Sequence, residues 1–211
     1  RLPALRPTVR FLHASPLALG LALALGCGGD STPTEPTAAG SRFESVQTVQ
    51  GDVDQVLRDN CDTAHDAASA PTWRWPTTNA PVASEPGRWT WVNFWATWCH
   101  PCVEELPMLQ RKLSSGPMGV VFLSLDADDA TVARFKTEHA FEGVLPRVPD
   151  QAAFDASMQA SGIASPGSLP IHVLVDPSNK VRCVRAGAVE ERHVDAVLGA
   201  LGTAPARPRI R

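Results

Sequence analysis

The run from Trp89 to Pro107, "WTWVNFWATWCHPCVEELP", constrains the fold more than any other stretch of this chain. Trp89 to Ala96 is β-branched and aromatic almost throughout, the composition of a buried strand. Pro101 follows closely, and proline is tolerated in the first turn of a helix, where its missing N–H is not needed. The sequence therefore predicts a buried strand that turns directly into a helix over residues 101–114, with Cys99 and Cys102 at the junction.

The pattern continues downstream. "GVVFLSLDA" (Gly119 to Ala127) reads as a second buried strand, and Val132, Phe135 and His139 recur at helical spacing within residues 129–139. Residues 151–160 read as a short helix. "IHVLVD" (Ile171 to Asp176) and "VRCVRAG" (Val181 to Gly187) flank the turn "PSNK" and read as a hairpin. Val194, Val197, Leu198 and Leu201 lie on one face of a closing helix over residues 190–201. Upstream, Phe43, Val46, Val49, Val53, Val56, Leu57 and Cys61 fit one helix face over residues 42–62, interrupted by Gly51. Residues 66–88 are rich in Pro, Ala, Ser and Thr, with Trp73 and Trp75 as apolar anchors, and read as an extended lead-in that includes a short strand. Alternating strands and helices followed by a hairpin predict an α/β fold, a mixed central sheet flanked by helices with an N-terminal helical extension.

The N-terminus is expected to lie outside that fold. Arg1, Arg6 and Arg10 form a basic start, Leu17 to Leu25 an apolar run, and Gly26 to Gly29 a small-residue exit. That order describes a secretory signal, and the run is far short of the ~20 residues of a spanning helix. "ALGC" (Ala24 to Cys27) resembles a bacterial lipobox, with Ala24 where leucine is usual, which makes Cys27 the expected lipidation site. An ordinary cleaved signal with Cys27 incidental is the alternative. "GGDSTPTEPTAAGS" then reads as a flexible tether. The expected organisation is a signal over 1–26, a tether over 27–41, the helical extension over 42–70, the α/β domain over 71–202 and a Pro- and Arg-rich tail over 203–211. A lipid, a tether and a domain describe a protein anchored to a membrane on the periplasmic side of a bacterial envelope, and a monomer is expected. Disulfides persist there. The net charge of −3 gives no reason to expect nucleic acid as a partner, and the chain has no phosphate loop or nucleotide fingerprint, so no cofactor is expected.

The two cysteines carry the chemistry. A helix N-terminus offers a partial positive charge and free N–H groups. A thiol there loses its proton more readily, and the thiolate is the nucleophile. Cys102 lies about one turn beyond Cys99 on the same face, so a disulfide between them can form and reopen. Cys99, at the tip, reads as the attacking thiol and Cys102, tucked behind it, as the resolving thiol. A haem site would need histidine after the second cysteine, and Val103 stands there. A structural zinc site would need a second ligand pair, and no second Cys-x-x-Cys exists.

"FWATWCHPCVEELP" resembles the active site of the thioredoxin superfamily, specifically of the TlpA/ResA-like membrane-anchored thiol-disulfide oxidoreductases. The shared pattern falls on Phe94, Trp95, Ala96, Trp98, Cys99, Pro101, Cys102, Glu105 and Pro107, and the resemblance spans roughly residues 71–201. It implies a thioredoxin fold with Cys99 and Cys102 as the redox pair. It also implies a cis-proline loop facing them, matched by Pro170 in "SLPIHVLVD", that leaves backbone groups free for an extended substrate. Client proteins with disulfides or thiols are the implied partners, with electrons drawn from a membrane thiol donor. Thioredoxins carry a buried aspartate where Asn93 stands here, and in the ResA-like branch a glutamate at the position of Glu105 helps proton transfer. An exposed helix carboxylate is the alternative for Glu105, and it describes Glu104 better. Between the cysteines, His100 and Pro101 tune the pair: a protonated His100 would stabilise the thiolate, against a solvated histidine of small effect. Trp95 and Trp98 read as shaping the surface around the disulfide.

Other readings remain. A thiol oxidase would use the same residues in the opposite direction. Cys99, Cys102 and His172 would make a soft copper set, as in a periplasmic metallochaperone, against a strand histidine hydrogen-bonded in place. Asp126, Asp128 and Asp129 read as helix caps rather than a cation site. Cys61 and Cys183 are left over, and in an exported protein such a pair is expected to bridge, against two separate buried thiols.

Overall fold

A computed structural model describes residues 53–202 apart from 83 and 115. The expected signal, Cys27, the tether, the first part of the helical extension and the C-terminal tail lie outside the described residues. One five-stranded sheet organises the rest, built from β1 (Thr63–Ala64), β2 (Trp89–Trp95), β3 (Met118–Ser124), β4 (Ile171–Val175) and β5 (Val181–Ala186). Its spatial order is β1-β5-β4-β2-β3. β2 runs parallel to β3 and antiparallel to β4, and β4 pairs antiparallel with β5. The helices are α1 (53–60), α2 (His100–Leu113), α3 (Asp129–Glu138), α4 (Gln151–Ala160) and α5 (Glu191–Gly202).

Side-chain alternation splits β2 between two cores. Trp91 and Trp95 enter a cluster with Leu57, Leu106, Leu109 and Val197, whereas Val92 and Phe94 enter one with Trp73, Phe154 and Val173. α1, α2, α3 and α5 therefore line one face of the sheet, and α4 with the lead-in segment lines the other. Both faces of β2 are covered, which is why its sequence is apolar without a polar side.

The lead-in is extended, as its composition predicts, and holds one isolated bridge, Thr72 to Lys180. Trp73 anchors it at 1 % exposure, edge-on to Phe94. The two-residue β1 comes earlier than the expected short strand. It pairs Thr63 with Val184 and Ala64 with Cys183, which makes residues 53–70 part of the sheet and core. Two further links hold α1 down. Cys61 and Cys183 form a disulfide with Cα atoms 5.6 Å apart. Arg182, 1 % exposed, pairs with Asp54, donates to the His65 carbonyl at 2.8 Å and lies over the Trp89 ring.

Candidate active site

The site lies where β2 becomes α2. Cys99 is the N-cap of α2, with extended backbone (φ −91°, ψ 97°), and no side chain caps the helix start. The first-turn N–H groups are thus left without the usual side-chain acceptor. His100 and Pro101 open the helix, and Cys102 follows within the first turn. Cys99 and Cys102 are joined by a disulfide, with Cα atoms 5.3 Å apart. Cys99 is 6 % exposed and Cys102 fully buried, the order expected for an attacking and a resolving thiol.

The turn into Cys99 rests on a buried carboxylate. Asp126 is 2 % exposed and accepts hydrogen bonds from Thr97 Oγ1 (2.7 Å), Thr97 N (3.0 Å) and Ser124 Oγ (2.7 Å). This corrects the reading of the three aspartates as equivalent caps. Asp128 caps α3 through Thr131 N, Asp129 pairs with Arg147, and Asp126 faces inward because the chain after β3 passes beneath the turn. The two tryptophans also differ. Trp98 is 71 % exposed beside the disulfide, but Trp95 is fully buried with its ring 4.7 Å from Phe135, so it shapes the core and not the surface. Trp95 still belongs to the strand and obeys its alternation, whereas Trp98 lies on the turn beyond it.

The Leu169–Pro170 bond is cis. Ile171 pairs with Phe94 across the β2–β4 ladder, so Pro170 lies at the end of the sheet that leads to Cys99. The loop is held by a 2.8 Å hydrogen bond from Gly187 N to the Pro170 carbonyl and by the close approach of Gly167 to Ala186. Gly167 has φ +86°, and a Cβ there would run into the Ala186 side chain.

Behind the disulfide lies a polar cluster inside the apolar core. Glu105, on α2, is 5 % exposed. Its Oε1 accepts from Asn93 Nδ2 at 2.9 Å and its Oε2 from Val189 N at 2.9 Å. Burial pushes its carboxyl up to about 7, and the hydrogen bonds from Val189 and Asn93 and the Arg185 cation only partly offset this. His172, at 1 % exposure, accepts at Nδ1 from Trp91 Nε1 (3.0 Å). Burial and Arg185 hold its imidazole down at about 3, so it is neutral at physiological pH. With Nδ1 occupied, His172 joins the core network. Among the described residues no group of three or more His, Cys, Asp or Glu is arranged to hold a metal ion. His100 is exposed, with Nδ1 3.4 Å from the Glu104 carboxylate.

No family model matches the chain. The thiol-disulfide oxidoreductase ResA of Bacillus cereus is 31% identical over 96 residues, 45% of this chain and 53% of that protein. ResA of Oceanobacillus iheyensis is 26% identical over 106 residues, 49% and 52% of the two chains. The chain thus spans about half the length of the curated relatives it matches. Among solved structures, a DsbF homologue from Corynebacterium diphtheriae has a TM-score of 0.50 at 15% identity, covering 65% of this chain and 91% of that one. A thioredoxin-family thiol:disulfide interchange protein from Chlorobium tepidum gives 0.45 at 24% identity, covering 61% and 99%. The mixed sheet with its Cys-x-x-Cys junction is a thioredoxin-like fold, and over about half its length the chain is similar in sequence to ResA thiol-disulfide oxidoreductases.

Proposed function

We propose that the protein is an exported thiol-disulfide oxidoreductase that reduces disulfides in client proteins of a bacterial envelope. The observation that carries this reading is the disulfide-forming pair at the start of an uncapped helix, with a buried carboxyl one turn behind it. In the reduced protein the Cys99 thiolate attacks one sulfur of a client disulfide. A mixed disulfide forms, and the first client sulfur leaves as a thiolate. Cys102 gives its proton to Glu105 and attacks Cys99 Sγ, which closes the Cys99–Cys102 disulfide and releases the second client sulfur. The client gains two electrons and the protein loses two, which a membrane thiol donor restores. Exposed Trp98 and the Pro170 loop border the client, and His100 and Pro101 tune the pair. Export and attachment through a lipid on Cys27 complete the proposal, with the protein acting as a monomer.

The test is trapping. Cys102→Ser leaves attack intact but blocks resolution, so mixed disulfides accumulate on Cys99, while Cys99→Ser abolishes reduction of an insulin-type disulfide. Trapping by Cys99→Ser alone would reverse the assignment. The reduction potential decides direction: a value near the ~−270 mV of thioredoxin supports a reductase, and one near the ~−120 mV of DsbA an oxidase.

A further inference from the structure

We infer that His172 is a positioning residue for Glu105: a neutral imidazole that Trp91 holds in one tautomer, so that its Nε2–H faces the Glu105 carboxyl group. The inference deepens the reading of Glu105 as proton acceptor and rests on it. Asn93 and His172 are direct cross-strand partners on β2 and β4, and Trp91 lies two residues back along β2. The pleat therefore turns all three toward the face that α2 covers.

The hydrogen-bond chemistry fixes the ring. An indole N–H is only a donor, and Trp91 Nε1 points at His172 Nδ1 from 3.0 Å. Nδ1 must then present its lone pair, and the proton of the neutral ring sits on Nε2. Asn93 Nδ2 approaches the same Nδ1 at 3.3 Å, which agrees with that tautomer. Nε2 lies 3.4 Å from Glu105 Oε1 and makes no well-aligned hydrogen bond, with the Gly187 backbone as the other acceptor facing it, in a side chain that is 1 % exposed. An N–H donor favours the ionised form of a carboxyl group, so His172 works against the burial that favours the acid.

Its neutrality is the useful part. A second cation at this place would add to Arg185 in favouring the carboxylate, whereas a neutral donor moderates the carboxyl and leaves it able to take a proton. The groups facing Glu105 come from every neighbouring element. β2 supplies Asn93 and β4 supplies His172. β5 supplies Arg185, which carries a full charge, and the loop before α5 supplies Val189 N. Gly187 presents its backbone to the imidazole, and His193 of α5 lines a narrow cavity with His172 and Arg185. On α2 itself, Cys102 is held in the disulfide.

The test is a carboxyl-carbon NMR titration of Glu105 in the oxidised full-length chain, with the resonance assigned by its loss in Glu105→Gln. His172→Met preserves volume but removes the N–H, and its Glu105 midpoint is expected about one unit above that of the parent protein. His172→Gln, which restores a donor, is expected to recover about half of that shift. Trp91→Phe releases the tautomer and is expected to move the midpoint in the same direction by less. An unmoved or lowered midpoint in a folded His172→Met protein overturns the inference. If that variant does not fold, an unmoved midpoint in Trp91→Phe overturns it instead. The titration needs no turnover, so its outcome is separate from whether the protein exchanges disulfides.

Discussion

A carboxyl group that ionises at about 7 sits where a proton acceptor works best at neutral pH, and Glu105 reaches that value by burial. Glu105→Gln keeps the shape and removes the proposed acceptor. It is expected to slow the resolving step by about a hundredfold at neutral pH, the low end of general acid–base contributions. It should also erase the corresponding inflection from the pH profile of Cys102 alkylation in the reduced protein. Stopped-flow exchange and alkylation rates check both. The spacing of Cys99 and Cys102 at a strand-to-helix junction singles them out in the sequence, whereas Glu105 and Pro170 were picked out only by resemblance to the thioredoxin superfamily. Asp126 was legible only as one of three acidic neighbours, because its partner Thr97 lies 29 positions earlier in the chain. The approach of His172 to Glu105 was equally hidden, since it depends on which strands pair.

At the level of elements, the links holding α1 are of different kinds. Val53 and Leu57 bury apolar surface, Arg182 and Asp54 form a shielded ion pair, and Cys61–Cys183 is covalent. Removing the covalent link through Cys61→Ala with Cys183→Ala is expected to cost roughly 2–4 kcal/mol. Urea unfolding checks this. Client reduction should stay within about twofold of the parent protein, because the remaining links still dock the helix. The strands β2, β3 and β4 were readable from their largely apolar composition, and β5 from the turn that joins it to β4. β1 was not, since two residues carry no alternation and its place is set by the edge of β5.

Across the whole molecule, Glu105 and His172 pull stability in opposite directions with pH. The Glu105 carboxyl is raised from 4.5 to about 7, so the folded protein holds a proton that the unfolded chain has lost. Its contribution is full below 4.5 and declines as pH rises to about 7. The His172 imidazole is lowered from 6.5 to about 3, so its contribution is full above 6.5 and declines as pH falls toward 3. Between 4.5 and 6.5 the two largely cancel. His172→Met should therefore gain stability relative to the parent as pH falls from 6.5 to about 3, and Glu105→Gln should lose it relative to the parent from 7 to 4.5. Denaturant melts across that range measure both slopes.

The bridge between Cys61 and Cys183 also decides how a pull travels through the protein. It spans 122 positions and encloses β2, α2, β3, β4 and the Cys99–Cys102 pair. Tension entering at α1 crosses directly to β5 and leaves through α5, so the enclosed chain bears no load while the bridge holds. Cutting it would place roughly 40 nm of polypeptide, Cys99 and Cys102 included, in the path of the force.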